Sequence, residues 1–276
     1  MLTYCSFTAQ SRGENVWENP NHIKMFSGNS LLILRSSSIT LERNIHKSFK
    51  ILKKSPENLK GKKLSSQLWL RRQLNDPYVQ KARVENWRCR SAFKLLEIDD
   101  KRGILKPGNI VIDCGSAPGS WSQVAVKRVN SSDPDEHTGI VIGIDIQHMF
   151  PVPGATILDQ HDFTKQETQL KLTELLSGIQ ADVILSDMAP NASGSRELDH
   201  DQIVQLCMSV LEFSPRVLRR GGTVLCKLWM GRDTQTLHSV MDRMFSRVRV
   251  VKPEASRSDS AEIFLLGTDF VGIKKT

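Results

Sequence analysis

Asn-Ile-Val-Ile-Asp-Cys-Gly-Ser-Ala-Pro-Gly-Ser-Trp-Ser, residues 109–122, is the stretch of this sequence that decides the fold. Residues 110–112 are a short apolar, β-branched run, which is typical of a strand buried on both faces of a parallel sheet. A turn of small residues follows from Gly115 to Gly119, and Pro118 suits the first turn of a helix. The stretch therefore predicts a strand, a glycine-rich turn and a helix start whose free N–H groups can meet a ligand.

The spacing of this turn separates the ligand classes that use such turns. It lacks the Gly-Lys-Ser/Thr of a P-loop, and Gly115, Ala117 and Ser120 replace the three glycines of a dinucleotide fingerprint. A hydrolase elbow fails because Ala117 takes the place of the serine nucleophile. An acid, Asp113, ends the strand before the turn, and this suits S-adenosylmethionine, whose amino-acid end carries an ammonium and a carboxylate. An ordinary tight turn in an α/β protein is the alternative.

The positive charge of the chain is concentrated in its first part. The net charge is +8 over 276 residues, and residues 1–63 contain 11 Lys/Arg against 4 Asp/Glu, which leaves 27 against 26 for residues 64–276. From Met25 the leader is rich in Ser, Arg and Lys, the composition of a mitochondrial presequence, and Met25 would suit an initiator. A disordered basic tail of a cytosolic or nuclear protein is the alternative. We predict a leader over 1–63 and one domain over 64–276.

The composition of the rest argues against several other classes of protein. The longest apolar runs are too short to span a bilayer. The five cysteines show no C-x-x-C spacing, which argues against a zinc ribbon or a disulfide scaffold, and we predict no metal site and a reducing compartment. Residues 71–94 hold seven basic residues interleaved with Tyr78 and Trp87. This pattern suits an RNA backbone with splayed bases, or else a solvated helix face.

Strand and helix patterns alternate after the turn. Strands are predicted at 110–112, 139–146, 155–158, 181–187, 222–229, 247–251 and 262–266, and helices at 92–98, 164–178 and 198–219. Such units form a parallel sheet with helices on both faces and a site at the carboxyl ends of the strands. The ionisable residues at or near those ends are Asp113, Asp145, Asp162, Asp187 and Lys227. A lysine inside an apolar strand is costly unless it is functional or, as the alternative, forms a structural ion pair.

Several longer motifs resemble one known family. These are Arg90–Leu95, Asp113–Ser122, Ser186–Gly194, Cys226-Lys227, and Lys252–Arg257 with Glu262. Over residues 64–270 the chain is similar to the FtsJ-like RNA ribose 2′-O-methyltransferases, and its 189–194 and 252–257 loops and basic leader are most similar to the mitochondrial members. The resemblance implies a Rossmann-like class I methyltransferase with a central, mostly parallel seven-stranded sheet and helices on both faces.

The resemblance also implies the residues of the site. The catalytic tetrad falls on Lys94, Asp187, Lys227 and Glu262, with Glu254 as a competing carboxylate. Contacts with S-adenosylmethionine fall on Pro118, Gly119, Ser120, Trp121, Asp145, Asp162 and Asp187. Ser120 replaces a glycine of many relatives, but it still suits a helix start. Trp121 is either a cofactor contact or a core residue.

The chemistry of a ribose 2′-hydroxyl agrees with this assignment. The hydroxyl is a poor nucleophile that needs a positioned base, and an ordinary lysine is protonated at neutral pH. Positive charge nearby, from Lys94 and the cofactor sulfonium, favours a neutral Lys227. Asp187 and Glu262 act in the opposite direction, so we assign them to orienting the lysines and the hydroxyl. Holding the reacting atoms in line supplies much of the rate.

These inferences predict a monomeric methyltransferase of the mitochondrial matrix. The expected substrate is a uridine ribose of large-subunit rRNA, presented by a precursor particle because no separate RNA-binding domain is evident. The alternatives are a tRNA-directed member of the same family, a ribosome-assembly factor that acts mainly by binding, and an NAD-dependent oxidoreductase, which the missing glycines disfavour.

Overall fold

The computed structural model describes residues 61, 63–129, 138–191 and 193–273. Its helices are α1 Leu64–Leu74, α2 Pro77–Val84, α3 Ala92–Arg102, α4 Ser120–Val129, α5 Gln166–Leu175, α6 Arg196–Val217 and α7 Thr234–Asp242. Its strands are β1 Ile110–Cys114, β2 Ile140–Ile144, β3 Thr156–Leu158, β4 Ala181–Ser186, β5 Leu218–Trp229, β6 Phe245–Val251 and β7 Glu262–Phe270. The predicted leader lies almost wholly outside the described residues and stays a prediction.

The strands form one seven-stranded sheet in the order β3-β2-β1-β4-β5-β7-β6. The first five are parallel, and β7 is antiparallel to both β5 and β6. This confirms the predicted fold class. The chain crosses from β3 at one edge back to β4 beside β1, and in open α/β sheets ligands bind at the carboxyl ends of the strands at such a switch point.

Helices cover both faces of the sheet because successive residues of each buried strand point to opposite faces. Val111 and its neighbours on one face pack under α3 and α4. Ile112 and its neighbours on the other pack under α5, α6 and α7. Burial of each such aliphatic side chain stabilises the fold by about 1.5–3 kcal/mol. The sheet is therefore a rigid platform whose carboxyl edge carries the ionisable residues.

Local details differ from the predictions where the sequence signal is weak. Pro118 lies in the turn, two residues before α4, rather than in the first helical turn. Strand β5 begins at Leu218, although the sequence predicts helix up to residue 219 and strand only from residue 222. The spacing of Val79, Ala82, Val84 and Trp87 predicts one apolar face of a helix, but helix α2 ends at Val84, whose side chain is exposed, so this helical face does not extend to Trp87. Helix α7 was not predicted.

The described helices include none that is long and apolar enough to cross a membrane. The described residues also include no group of three or more His, Cys, Asp and Glu side chains that could hold a metal ion.

Candidate active site

The turn between β1 and α4 is closely packed and needs its glycines. Gly115 and Gly119 have φ angles of +77° and +109°, in the left-handed region that side chains disfavour. A Cβ on Gly115 would lie 2.6 Å from the Cγ of Met188, and one on Gly119 would lie 2.6 Å from a guanidinium nitrogen of Arg88. That guanidinium donates hydrogen bonds to the carbonyl oxygens of Pro118, Phe150 and Pro151 at 2.6–2.9 Å. Arg88 therefore fixes the turn to the loop after β2.

Two of the predicted cofactor carboxylates also organise backbone around the turn. Asp145 follows β2, and its two oxygens accept hydrogen bonds from the amides of Ala117 at 2.8 Å and Gln147 at 2.7 Å. Asp162 follows β3 and accepts from the amide of Thr164 at 2.9 Å. Since each carboxylate oxygen has two lone pairs, both groups keep capacity to accept hydroxyl or ammonium donors.

Asp113 at the end of β1 lies beneath the site rather than in it. Its carboxyl is fully buried, and one oxygen accepts a hydrogen bond from the Ser122 hydroxyl at 2.6 Å. Burial raises the pKa of Asp113 to about 7, with a further contribution from the charges of Asp187 and Asp145, against the opposing Ser122 bond. Asp113 is therefore a buried acid that supports the turn.

The side chains of Ser120 and Trp121 are engaged within the protein. The Ser120 hydroxyl lies 2.8 Å from that of Ser91 and 3.0 Å from the Cys89 sulfur. The Trp121 indole donates to the Ser91 carbonyl at 2.9 Å and packs against Phe264, with ring centres 5.6 Å apart. The structure thus places the indole in the core, which leaves any contact of Trp121 with a cofactor to its backbone.

The four residues of the predicted tetrad form two ion pairs. Lys227 in β5 lies 3.0 Å from a carboxylate oxygen of Asp187, which follows β4. Lys94 in α3 lies 2.7 Å from a carboxylate oxygen of Glu262, the first residue of β7. The four side chains are only 10–16% exposed. Three strands or strand ends and one helix therefore deliver two cations and two anions to a largely buried site.

Strand register brings the two pairs to the same face of the sheet. Lys227 is directly opposite Phe264 in the antiparallel β5–β7 pair, and Glu262 is two residues before Phe264. The Lys94 ammonium lies 5.9 Å from the centre of the Phe264 ring. Burial alone would raise the pKa of Glu262, but the charge and hydrogen bond of Lys94, the Ser256 hydrogen bond and the charge of Lys227 outweigh it and lower that pKa. Glu262 is thus held ionised between the two lysines.

The loop before β7 contains a site residue that the sequence reasoning did not single out. The Ser256 hydroxyl donates to the second oxygen of Glu262 at 2.7 Å, so the carboxylate is fixed from both sides. The motif around it was visible in the sequence, but the pattern gave no role to the serine. Glu254, the competing carboxylate, is 82% exposed and pairs with Lys101 at 3.7 Å, away from the tetrad.

Two arginines of the predicted RNA patch are structural. Arg90 pairs with Asp76 at 3.0 Å and donates to the carbonyl of Ala255, while Arg88 fixes the turn as described above. Their charges are therefore committed to holding helices and loops around the site. The sequence could not show this, because the partners of Arg90 and Arg88 are up to 165 residues away.

Two buried carboxylate oxygens form no hydrogen bond with a described residue: Asp113 Oδ1, beneath the site, and Asp187 Oδ1, within it. The Lys227 ammonium lies 3.0 Å from Asp187 Oδ1 and also donates a hydrogen bond to the backbone carbonyl of Asp187. Because an ammonium has three N–H donors, Lys227 serves both oxygens, and the second carboxylate oxygen of Asp187 keeps capacity to accept a ligand donor. Carboxylates at the ends of β2, β3 and β4 fit the ammonium and ribose hydroxyls of S-adenosylmethionine, and the anionic setting does not fit a pyrophosphate.

Three features together define a Rossmann-like methyltransferase. They are a doubly wound sheet with β7 antiparallel between β5 and β6, a glycine-rich turn after β1, and acids at the ends of the following strands. Residues 87–270 match the FtsJ-like methyltransferase family, and the chain belongs to that family.

Individual relatives agree with this assignment. The chain is 51% identical over 225 residues to a Drosophila melanogaster protein named rRNA methyltransferase 2, mitochondrial, a match that covers 81% of this chain and 90% of the relative. It is 46% identical to the ribosomal RNA large subunit methyltransferase E of Cereibacter sphaeroides, over 77% of this chain and 87% of the relative. A crystal structure from Plasmodium falciparum, described as that of a ribosomal RNA methyltransferase, superposes with a TM-score of 0.59 at 33% identity. It covers 67% of this chain and 100% of its own.

Proposed function

We propose that this chain uses S-adenosylmethionine to methylate the 2′-hydroxyl of a uridine in mitochondrial large-subunit rRNA. The observation that supports this most directly is the pair of buried ion pairs, Lys227–Asp187 and Lys94–Glu262, beside the turn after β1. Positioned basic and acidic groups are what the deprotonation of a ribose hydroxyl requires. The setting is the mitochondrial matrix, the particle is a large-subunit precursor, and the enzyme is a monomer.

The relatives, rather than the geometry, support the proposed substrate. The names of the Drosophila and Cereibacter proteins specify ribosomal RNA, and the first also specifies the mitochondrion. The identity of 51% extends over 90% of the Drosophila protein, so the whole domain and not one motif is shared. A tRNA-directed member of the family remains the alternative that the residues alone leave open.

The proposed cofactor residues bind S-adenosylmethionine by accepting its hydrogen bonds and by packing against it. Asp187 and Asp145 offer free acceptor capacity to ammonium and hydroxyl donors, and Asp162 does the same at the end of β3. Pro118, Gly119, Ser120 and Trp121 supply the closely packed backbone of the turn. When bound, S-adenosylmethionine supplies an electrophilic methyl group attached to a positively charged sulfur.

The tetrad residues position and deprotonate the hydroxyl. Lys227, in its neutral form, accepts the 2′-hydroxyl proton. Asp187 holds the Lys227 amine in place, since its carboxylate lies 3.0 Å from Nζ. Glu262 holds Lys94 in place, with 2.7 Å between its carboxylate oxygen and the Lys94 Nζ. Because the four groups lie on rigid strands and a helix, the acceptor oxygen is held in line for transfer.

The test is methylation of defined RNA substrates by the purified chain with labelled S-adenosylmethionine. Large-subunit precursor particles, mature particles, free rRNA and tRNA are offered separately, and the modified nucleotide is mapped. We expect one uridine 2′-O-methyl group, formed best in the precursor particle. Exclusive modification of tRNA would contradict the substrate assignment. A Lys227 variant that transfers no methyl group but still restores ribosome assembly in cells would instead favour a binding role.

A further inference from the structure

A basic cavity lies at the amino ends of the parallel strands, whereas the tetrad lies at their carboxyl ends. It has a volume of about 360 Å³ and is lined by residues around the amino ends of the parallel strands, among them Asn109 before β1, Asp182 in β4 and Thr223 in β5. A five-residue strand rises about 3.3 Å per residue, so this edge is roughly 15 Å from the tetrad. The cavity is therefore separate from the candidate active site.

The described residues that line this cavity include six cations and two carboxylates. The cations are Lys101, Arg102, Lys106, Arg219, Arg247 and Arg249, and the carboxylates are Asp182 and Asp269. Both carboxylates already form ion pairs, Asp182 with Arg219 and Asp269 with Arg247. Residues 64–276 as a whole have a net charge of only +1. The excess of cations here is consequently a local concentration and not the average of the surface.

Three of the cations have no partner. Arg102, Lys106 and Arg249 are exposed, and none of their side chains makes an ion pair or hydrogen bond with a described residue. They come from three places: the end of α3, the loop before β1 and the edge strand β6. Like charges brought together without counter-charges repel one another, and an anionic ligand relieves that repulsion.

The fold leaves this face of β6 open. Arg249 is opposite Leu266 and Arg247 is opposite Thr268 in the β6–β7 pair, on the side of the sheet that α3 and α4 cover further in. Helix α7 packs against β6 from the other side. Charge on an edge strand also discourages edge-to-edge pairing. However, either sign would serve that purpose, whereas the unpartnered charges here are all positive.

None of the described residues that line this cavity is aromatic. A nucleotide site commonly stacks its base on an aromatic ring, and sequence-specific RNA readers do the same. A lining of cations without rings instead suits phosphate groups, which position a nucleic acid without reading its sequence. The spread of the free cations over α3, a loop and β6 fits several phosphates of one strand better than a single small anion.

We infer that this basic cavity binds the phosphodiester backbone of rRNA at a distance from the nucleotide that is methylated. The inference rests on the proposed rRNA substrate and adds a second, sequence-independent contact to it. It also answers a question left by the sequence, because Arg88 and Arg90 of the predicted RNA patch are occupied by protein partners. An rRNA that contacts both the basic cavity and the candidate active site would be held in a fixed orientation relative to the tetrad.

The test compares two triple variants of the full-length chain. Arg102→Gln, Lys106→Gln and Arg249→Gln remove the unpartnered cations. The control, Lys165→Gln, Lys171→Gln and Arg243→Gln, removes three exposed cations. They lie just before α5, within α5 and just after α7, two helices that pack on the other face of the sheet, and the control also removes the contact of Lys171 with His161. Affinity for a long large-subunit rRNA fragment and for a short oligonucleotide containing the target uridine is measured between 50 and 300 mM KCl, without S-adenosylmethionine. Thermal unfolding checks that each variant is folded.

For the long RNA we expect the cavity variant to lose more than tenfold in affinity at 0.1 M salt. The slope of log K against log salt should fall by roughly two units, since each phosphate contact contributes about 0.7–0.9. The control variant should retain more of the affinity and more of the salt slope. The short oligonucleotide should bind the wild type and the cavity variant with equal affinity. Equal RNA affinity and an equal salt slope for the cavity and control variants would overturn the inference. The cavity would then bind an acidic protein or no partner.

Two further measurements separate other outcomes. Binding of ATP or inorganic phosphate that is lost in the cavity variant, with RNA affinity unchanged, would overturn the inference in favour of a small-anion site. The binding assays need no catalysis, so they are independent of the proposed activity. A wild-type protein that binds long RNA through the cavity but methylates no rRNA would overturn the proposed function alone.

Discussion

Replacement of Lys227 separates a general base from a fixed positive charge. Lys227→Arg retains a cation beside Asp187, 3.0 Å from Nζ in the wild type, but a guanidinium does not lose its proton at any useful pH. Lys227→Ala removes both the base and the charge. We expect both variants to lose methyl transfer, by about 10²–10⁴-fold, the usual contribution of a general base.

The two variants should differ in stability. The Asp187 side chain is 16% exposed, so Lys227→Ala leaves a largely buried carboxylate without its partner. Removal of one member of a buried pair costs about 3–5 kcal/mol, and the remaining exposure of Asp187 places this case near the lower limit. Lys227→Arg keeps the ion pair and should lose less. The free energy of unfolding from urea titrations gives this comparison.

The assay for activity is single-turnover methyl transfer to large-subunit particles at saturating S-adenosylmethionine. Lys165→Arg, an exposed substitution on the opposite face, is the matched control and should keep the wild-type rate. Calorimetric titration checks that both Lys227 variants bind the cofactor. A Lys227→Arg enzyme within tenfold of the wild-type rate would refute the base assignment and transfer it to Lys94 or a carboxylate.

Asp113→Asn and truncation of the leader provide two further tests. The pKa of Asp113 is raised from 3.8 to about 7, so its neutral form stabilises the native state fully below pH 4, and this stabilisation is lost as the pH rises through 7. The stability difference between wild type and Asp113→Asn should therefore shift toward the variant by about 3 kcal/mol between pH 5 and 8, at 1.36 kcal/mol per unit. A difference that urea titrations show to be constant with pH would contradict the raised pKa. A chain that begins at Leu64 should keep full methyl-transfer activity but fail to enter isolated mitochondria, and unchanged import would overturn the localisation.

The sequence predicted the sheet and the strand ends at which the ionisable residues lie, because both depend on local patterns. Apolar β-branched runs located all seven strands, and an acid at the end of a buried strand is visible without a structure. The ends of elements were less predictable. Strand β5 continues through Gly221 and Gly222, where its register against β4 shifts: Ala181 is opposite Leu218, but Val183 is opposite Thr223. Glycine inside a strand often marks such an irregularity, and the sequence alone does not separate it from a strand end.

The roles of individual charges were the least predictable part. Arg88, Arg90 and Ser256 look the same in the sequence whether they face solvent, substrate or protein. Their partners are set by tertiary packing: Arg88 reaches the loop after β2, Arg90 donates to the carbonyl of Ala255, and Ser256 donates to Glu262. The cations of the basic cavity are also scattered in the sequence, so their proximity becomes apparent only once β6 lies beside β7.

The contact between Lys94 and Glu262 joins residues 168 positions apart in the chain. The carbonyl of Ala255 and the guanidinium of Arg90 connect the same two regions. Closing so large a loop is entropically unfavourable until the strands between them have folded. A nascent chain emerging from the ribosome therefore has the turn after β1 long before the Lys94–Glu262 ion pair. With the roles proposed for the tetrad, the site is complete only once β7 has been synthesised, so a chain that ends before β7 should transfer no methyl group.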